Sequence, residues 1–367
     1  MAVNFDYDAY DKKVQAAFAR TGGLAGVLAK QYLPVTQWTL GNYCVNCRDR
    51  KRMLDLELSE MAKTLAVDTD WIPFLEPWHG VGVYAEAFGC PFEWRDGDSP
   101  WTHPIVKTLD DLKRIQPPAL KNAQMLNYVL DTVEYFDRET GGRIPIALTD
   151  TQSPLDNATL VCDTTFFFMS TFEYPDHIKR LLRCITDLMI ESSREQRKRM
   201  RNPAQPGHSM WSPSDAKGIS LSEDNLVMIG PDFYAEFAEP YNVDLARAFG
   251  GLAVHSCGTW HKLFDPVSKT PGLFMVDLCI HRTGDPNPNR FEDVHRGFAG
   301  KNTLVQVRTY FDKDNSDPEF NFAWVDQLRG PGFPMIIQIP FQEDPKIANR
   351  HYAVLRKKLD GLLKRGW

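Results

Sequence analysis

Short apolar runs alternate with amphipathic stretches along most of the chain. Apolar residues recurring every three or four positions predict helices, whereas short apolar runs bounded by Gly, Pro or polar clusters predict buried strands. The predicted strands are Trp71–Phe74, Ile144–Leu148, one beginning near Gly218, Leu252–Val254, Leu273–Leu278, Leu304–Val307 and Met335–Ile339. Because helices separate them, the strands are expected to be parallel, and their number favours an α/β fold of the (β/α)8 TIM barrel type.

Two amphipathic stretches precede the first predicted strand. Apolar positions at helical spacing predict one helix over Asp6–Lys30 and another over Arg48–Leu65. A single domain is therefore expected over residues 1–367, with an N-terminal helical extension in 1–68 and the barrel in 69–367.

A CxxC pair, Cys44 and Cys47, lies between the two predicted N-terminal helices. Such a pair can be half of a zinc site or a redox pair. The chain has no second CxxC, and no predicted strand precedes this one. A packing or helix-entry role is therefore favoured.

Composition excludes some classes of protein. The chain has 367 residues, a formal net charge of −6 and seven cysteines. Nucleic-acid binding usually needs a basic surface, so the negative charge argues against it. The apolar runs are too short to span a bilayer, and the first residues lack the pattern of a signal peptide. An odd number of scattered cysteines is typical of a reducing compartment, so a cytoplasmic protein is expected.

Polar side chains follow nearly every predicted strand. The active site of a (β/α)8 barrel lies at the C-terminal ends of its strands, so these side chains are expected to surround one mouth. Each alone is more typical of a loop residue, but together they suit a polar active site. The candidates are Glu76, His79, Asp150, Gln152, Asp224, His255, Cys257, Cys279, Arg308, Tyr310 and Gln338.

His255 and Cys257 end the apolar run that begins at Leu252. Alternate residues of a strand project from one face, so the imidazole and the thiol are expected to lie side by side. This pair suits zinc, and Gly258 allows a sharp turn after it. A buried cysteine beside a hydrogen-bonded core histidine is the alternative, because two ligands do not complete a metal site.

Several blocks of sequence resemble the uroporphyrinogen decarboxylase superfamily. They are Asp150–Ala158, Tyr174–Leu182, Ser222–Asn225, Pro231–Tyr241 and His255–Gly258. In order and spacing they cover most of the chain after the N-terminal helices. The resemblance implies a single (β/α)8 barrel preceded by helices.

True uroporphyrinogen decarboxylases need no metal and hold the carboxylates of a tetrapyrrole with arginines on an N-terminal loop. They also use an aspartate after the first strand. Here Tyr32–Gly41 has no arginine, Glu76 takes the place of the aspartate, and Met335–Phe341 lacks the histidine expected after the last strand. Neutralising several substrate carboxylates without those arginines would be costly, so this activity is disfavoured.

The other branch of the superfamily consists of zinc-dependent methyltransferases. They move methyl groups between a thiol, amine, alcohol or aryl ether and a corrinoid protein, and they bind zinc with a His-x-Cys-Gly block and a further cysteine. This chain has Gln338–Gln342 where relatives have that cysteine. Cys279 is the expected replacement, since the similar cobalamin-independent methionine synthases place a ligand on that next strand. Asp277 and His281 are weaker alternatives. A core thiol in an apolar strand is the other interpretation of Cys279.

The leading hypothesis is therefore a zinc-dependent methyltransferase or demethylase that acts on a small molecule together with a corrinoid protein. Homodimers are common in the superfamily, so a homodimer is expected. The expected metal ligands are His255, Cys257 and Cys279; the catalytic residues are Glu76, Asp150, Asp224 and Tyr310; and the substrate-binding residues are His79, Gln152, Arg308 and Gln338.

Two alternatives remain open at this point. One is a metal-free lyase that acts on a carboxylated substrate through Glu76 and Arg308. The other is a barrel that binds a tetrapyrrole or corrinoid without catalysis. Metal content would separate the leading hypothesis from both.

Overall fold

The computed structural model describes residues 5–37, 48–95, 97–208, 210, 215–310, 316–342 and 344–367. Its strands are β1 (Val35–Gln37), β2 (Phe92–Glu93), β3 (Trp101–Thr102), β4 (Ile219–Ser222), β5 (Leu252–His255), β6 (Leu273–Cys279), β7 (Leu304–Arg308) and β8 (Met335–Ile339). Its α-helices are α1 (Tyr7–Thr21), α2 (Gly23–Leu28), α3 (Arg50–Thr64), α4 (Val83–Glu86), α5 (Leu109–Arg114), α6 (Gln124–Glu139), α7 (Pro154–Val161), α8 (Thr164–Glu173), α9 (Pro175–Lys198), α10 (Pro231–Phe237), α11 (Glu239–Phe249), α12 (Phe264–Ser268), α13 (Phe291–Phe298), α14 (Pro318–Asn321) and α15 (Pro345–Lys364). None of the described helices is both long and apolar enough to cross a membrane.

Six parallel strands form one continuous sheet in the order β1-β8-β7-β6-β5-β4. Two extended segments, 70–76 and 144–152, complete a ring between β1 and β4. The pairs that close the ring are Val35 with Asp70, Leu75 with Ile146, and Gln152 with Ser222. The predicted (β/α)8 barrel is thus confirmed. The short antiparallel pair β2 and β3 lies outside this ring.

The sequence predicts N-terminal helices over 1–68, whereas the structure has a barrel strand, β1, within this range. Val35 pairs with Ile337 of β8. Three residues are too few to show an alternating pattern, and β1 depends on hydrogen bonds supplied by a distant strand. The barrel therefore begins before the expected boundary. The CxxC pair, Cys44 and Cys47, lies outside the described residues.

Two predicted helices are divided. The helix expected over Asp6–Lys30 breaks at Gly22, whose φ of +67° is readily adopted by glycine and ends α1. The sequence also predicts one helix over Pro231–Phe249, but this helix breaks at Ala238, between α10 and α11. Pro240 follows two residues later, and it has no N–H to continue the hydrogen bonds of α10.

The barrel interior changes from apolar to polar along the strands. The N-terminal helices α1 and α2 help to cover the apolar end. This inner apolar layer consists of Ala17, Val27, Trp71, Ile72, Met210, Ala253, Met275, Leu304 and Ile336. Two residues further along four adjacent strands come His255, Asp277, Gln306 and Gln338, which share the same face because side chains alternate. The polar layer therefore lies where the strands end.

A buried carboxylate, Asp70, joins α1 to the barrel. It accepts hydrogen bonds from Arg20 Nε (2.7 Å), from the Tyr32 hydroxyl (3.1 and 3.2 Å) and from Val35 N of β1 (2.9 Å). Asp70 has no exposed surface, so these donors replace the water that it loses on folding. The contacts fix α1 and β1 at the same end of the barrel.

Replacement of Asp70 by alanine is expected to lower the free energy of unfolding by about 3 kcal/mol, because the partly buried Tyr32 hydroxyl and the buried N–H of Val35 lose their acceptor. Urea denaturation measures this change. Arg20→Ala is the matched control, with an expected loss of about 1 kcal/mol because Arg20 is partly exposed. Equal losses in the two variants would contradict a central role for the carboxylate.

Candidate functional site

Three potential metal ligands meet at the C-terminal ends of β4 and β5. His255 is the last residue of β5, and its Nε2 lies 3.3 Å from Cys257 Sγ. Asp224 follows β4, and its Oδ1 lies 3.8 Å from His255 Nε2. The three donor atoms all lie within 4.8 Å of one another. His255 is buried whereas Asp224 and Cys257 are exposed, so the group is accessible from the mouth.

The turn that positions Cys257 depends on Gly258. Its φ is +71°, and a Cβ at this position would lie 2.6 Å from Cγ1 of Val227. Its N–H donates to Asp285 Oδ2 (2.5 Å), and its carbonyl accepts from Asn289 Nδ2 (2.8 Å). Any side chain here would be strained and crowded, and the preceding thiol would change direction.

The position of Asp224 depends on Asp156 of α7. Asp156 accepts hydrogen bonds from the backbone N–H of Asp224 (2.6 Å) and of Asn225 (3.1 Å). Asp224 Oδ1 in turn accepts from Cys257 N–H over 2.8 Å. Burial, and after it the charge of Asp224, raises the pKa of Asp156 to about 7. Asp156 thus holds the loop that brings Asp224 to the ligand group.

Asp277 of β6 lies behind His255 and organises the buried side of the site. It accepts hydrogen bonds from His255 Nδ1 (2.6 Å), Gln306 Nε2 (2.8 Å) and Arg308 Nε (3.0 Å). Arg308 Nη2 lies 2.5 Å from the second carboxylate oxygen, which makes the ion pair two-pronged. Burial favours the protonated acid, but the Arg308 charge and the His255 hydrogen bond outweigh it and lower the pKa of Asp277 to about 2.

The same network determines the charge of His255. Burial and the Arg308 charge lower the pKa of this imidazole, whereas the hydrogen bonds with Asp277 and Cys257 raise it to about 10. Without a metal ion beside it, the ring is therefore protonated at neutral pH. A metal ion would take the place of the proton on Nε2.

Cys279 and Tyr310 lie beside this network. Cys279 Sγ is 3.3 Å from His281 O, and burial raises the pKa of the thiol to about 11. Cys279 does not belong to the group of three donor atoms, whose third member is Asp224. The ring of Tyr310 packs against Gly284, where no side chain could fit. Burial raises the pKa of Tyr310, so its hydroxyl can donate a hydrogen bond.

A second charged cluster lies inside the barrel. His208 Nδ1 contacts Glu76 Oε1, while His208 Nε2 lies 3.1 Å from Asp150 Oδ1 and 3.0 Å from Ser222 Oγ. Glu76, Asp150 and His208 are 5%, 3% and 6% exposed. Burial and the charge of His255 lower the pKa of His208, but the charges of Asp150 and Glu76 raise it to about 9.

Further donors orient the two acids of this cluster. Asp150 accepts hydrogen bonds from Trp78 Nε1 (2.8 Å) and Gln152 Nε2 (2.7 Å). The backbone N–H of Glu76 donates to Glu57 Oε2 of α3 over 2.8 Å. Burial raises the pKa of Glu57 well above its usual range. The predicted candidates Glu76, Asp150 and Gln152 are thus brought together.

His208 is the candidate that sequence reasoning misses. It lies in a connection after α9 that inserts beside the extended segment 144–152, where Ala204 N–H donates to Ile146 O over 2.8 Å. Ser220 Oγ of β4 donates to Gly207 O over 2.6 Å. Neither contact is reflected in a pattern of nearby residues in the sequence. A histidine that follows a glycine is only a weak indication of a functional site.

The predicted substrate-binding residues His79 and Gln338 lie in different parts of the barrel. His79 is fully buried against α6, where its Nε2 lies 2.9 Å from Thr132 Oγ1 and its ring packs on Tyr128, so it is not brought to the ligand group. Gln338 of β8 pairs in register with Arg308, at the level of the mouth. Its Oε1 is buried and has no hydrogen-bond partner among the described residues.

Solved structures share this fold. A methyltransferase from Methanosarcina mazei superimposes with a TM-score of 0.62, over 92% of this chain and 99% of that chain, at 13% sequence identity. At this identity the similarity concerns the fold alone. No curated protein sequence matches the chain.

A sequence model of one family covers most of the elements that build the mouth. The family is described as uroporphyrinogen decarboxylase (URO-D), and the match extends over residues 46–281. This range is more than half of the chain and contains Asp224, His255 and Cys257, together with Glu76 and its partners. The chain therefore belongs to the uroporphyrinogen decarboxylase (URO-D) family.

Proposed function

We propose that this chain is a zinc-dependent methyltransferase or demethylase that moves a methyl group between a small substrate and a corrinoid. The proposal is carried by the group of donor atoms from Asp224, His255 and Cys257 at the mouth of the barrel. Membership of the family and a fold shared with a methyltransferase support it. The corrinoid is inferred from the resemblance of the His-x-Cys-Gly block to the zinc-using branch.

The donor atoms suit zinc in type and in spacing. A catalytic zinc has three protein ligands and keeps a fourth position open. Tetrahedral bonds from zinc to nitrogen and sulfur would place those two atoms about 3.5 Å apart. His255 Nε2 and Cys257 Sγ are 3.3 Å apart. Asp277 contacts His255 Nδ1, as the carboxylate partner of a zinc-bound histidine does.

Asp224 suits the third ligand position better than Cys279. The carboxylate of Asp224 already lies beside His255 and Cys257. Cys279 Sγ instead lies 3.3 Å from His281 O and does not belong to this group of donor atoms. Cys279 would then line the pocket rather than bind the ion.

Bound zinc would act as a Lewis acid on the heteroatom that carries the methyl group. The residues around it would bind and orient the substrate. The Tyr310 hydroxyl would donate to a substrate oxygen, and the buried Oε1 of Gln338 would accept from a substrate N–H or O–H. Substrates of this kind include methylated thiols, amines, alcohols and aryl ethers.

The alternatives place different demands on Arg308. A metal-free lyase would use this residue to hold a substrate carboxylate. Its guanidinium already forms a two-pronged contact with Asp277, so its charge is balanced within the protein. The lyase therefore ranks second, and a corrinoid- or tetrapyrrole-binding barrel without catalysis ranks third.

The function itself is tested with zinc-loaded protein and free cob(I)alamin as the methyl acceptor. A panel of donors containing methanol, dimethylamine, a methyl thioether and an aryl methyl ether is added, and the absorbance of methylcobalamin is followed. Formation of methylcobalamin from at least one donor is expected. Failure of the loaded protein with every donor would refute the proposed activity.

Zinc content tests the proposed ligands. Purified protein is expected to hold about one zinc ion per chain, since the residues that the structure describes contain one such set of three ligands. Asp224→Ala, His255→Ala and Cys257→Ala are expected to lose most of it on dialysis, as measured by plasma mass spectrometry. Cys279→Ala is the matched control and should retain zinc. Loss from Cys279→Ala with retention in Asp224→Ala would contradict this ligand set.

The partner of the histidine ligand gives a separate prediction. Asp277→Asn is expected to weaken zinc binding by about 10- to 100-fold, because His255 loses the carboxylate that orients it. Competition with a chromophoric chelator measures the affinity. Asp265→Asn, the same change at an exposed position of α12, should leave the affinity unchanged. An unchanged affinity in Asp277→Asn would show that the carboxylate does not act through a bound ion.

A further inference from the structure

The Glu76–His208–Asp150 cluster has no part in binding zinc, yet it lies beside the proposed metal ligands. Ser222 contacts His208 and is the register partner of His255 in the adjacent strand. The charges of the two histidines also interact. The cluster thus contacts β4, which lies one strand spacing, ~4.8 Å, from the strand that carries His255.

The contacts of His208 favour a proton on both ring nitrogens. Nδ1 faces Glu76 Oε1, and Nε2 faces Asp150 Oδ1 at 3.1 Å. A neutral imidazole has one N–H and would turn a lone pair toward a carboxylate oxygen. The two acids therefore favour the imidazolium form of His208.

The backbone holds His208 in an uncommon conformation. Its φ is +33°, in a region that side chains other than glycine seldom adopt. Ser220 Oγ of β4 donates to the carbonyls of Gly207 (2.6 Å) and His208 (3.4 Å), and these bonds keep the segment in place. Strain of this kind persists where the surrounding structure enforces it, and it is common at functional sites.

Ser222 allows His208 to lose a proton without losing its hydrogen bonds. In the imidazolium, the Nε2 proton lies between Asp150 Oδ1 (3.1 Å) and Ser222 Oγ (3.0 Å). After that proton leaves, Nε2 can accept from the Ser222 hydroxyl, while Nδ1 keeps its contact with Glu76. Both protonation states are therefore accommodated, as a proton-transferring residue requires.

We propose that His208 donates the proton that the heteroatom takes up when its methyl group is removed, a step that rests on the proposed function. The bond between the methyl carbon and the heteroatom breaks, and its electron pair stays on the heteroatom. The acceptor, a reduced corrinoid, supplies the electron pair of the new bond to the methyl carbon. The heteroatom takes the Nε2 proton of His208, and the neutral imidazole regains a proton from solvent before the next turnover.

This role fixes the sign of the pH dependence. Glu76, Asp150 and the Ser222 hydroxyl contact His208, and Glu57 lies behind Glu76. His255 acts on His208 through its charge only. The two acids favour the imidazolium, whereas burial and His255 oppose it. A donor must be protonated, so activity is expected to persist below about pH 9 and to fall as the pH rises through that value.

His208→Gln tests the proposal in the methylcobalamin assay, with the best donor of the panel. Its kcat is expected to fall on the order of 100-fold, with KM nearly unchanged, because one general acid is lost. The alkaline fall of kcat should disappear, and zinc content should stay at the wild-type level. His351→Gln is the matched control: His351 is another buried histidine, on α15, and this variant should keep wild-type kinetics.

Two kinds of result would contradict the proposed role of His208. A kcat of His208→Gln close to that of the wild type, or an alkaline fall that persists in it, would overturn the donor role alone. Wild-type protein that holds zinc but transfers no methyl group would refute the proposed function and the donor role with it. Circular dichroism checks the fold of each variant. If His208→Gln does not fold, Ser222→Ala replaces it, with an expected loss in kcat of about tenfold.

Nitrogen NMR of the histidine side chains tests the charge of His208 without a substrate. The His208 signal is identified by its absence from the spectrum of His208→Gln. In the wild-type protein this signal should titrate well above neutral pH. A titration midpoint at or below that of free histidine would overturn the proposal, because the ring could not serve as an acid at neutral pH.

Discussion

The buried carboxylate of Asp277 is the constraint on which the mouth of this barrel depends. A charge in the interior is tolerated only when neighbouring groups replace its hydration. Arg308 supplies two contacts from β7, and His255 supplies one from β5. Because these strands lie on either side of β6, one carboxylate ties three strands together and also fixes the direction of an imidazole.

The interior of the barrel keeps packing and polar chemistry apart by position along the strands. Met275 and Leu304 lie in the inner apolar layer that the N-terminal helices help to cover. Two residues further along, Asp277 and Gln306 are hydrogen-bonded to each other. The polar layer can therefore carry costly buried charges, since the apolar layer below it and the Asp70 network at the opposite end stabilise the ring independently.

Features with local causes could be predicted from the sequence, whereas those that depend on distant pairing could not. Apolar runs predict β5 to β8, and alternation along β5 places His255 beside Cys257. β1 has too few residues for a pattern. Asp224 is predictable as a mouth residue, but its place beside the thiol depends on Asp156, which belongs to α7. His208 lies in the connection after α9, so no periodic pattern of apolar residues predicts that it reaches the interior of the barrel.

The two histidines of the mouth show how one residue type can serve two purposes. His255 has Asp277 on one nitrogen and donor atoms suited to a metal on the other, so an ion can replace its second proton. His208 has an acid on each nitrogen, so its charged form is favoured. The positive charges of the two histidines repel each other. If a metal ion replaced the Nε2 proton of His255, the charge of the ion would repel His208 instead. In the proposed arrangement, an ion bound to His255 and the charged ring of His208 could lie close together only because Glu76 and Asp150 balance the charge of His208.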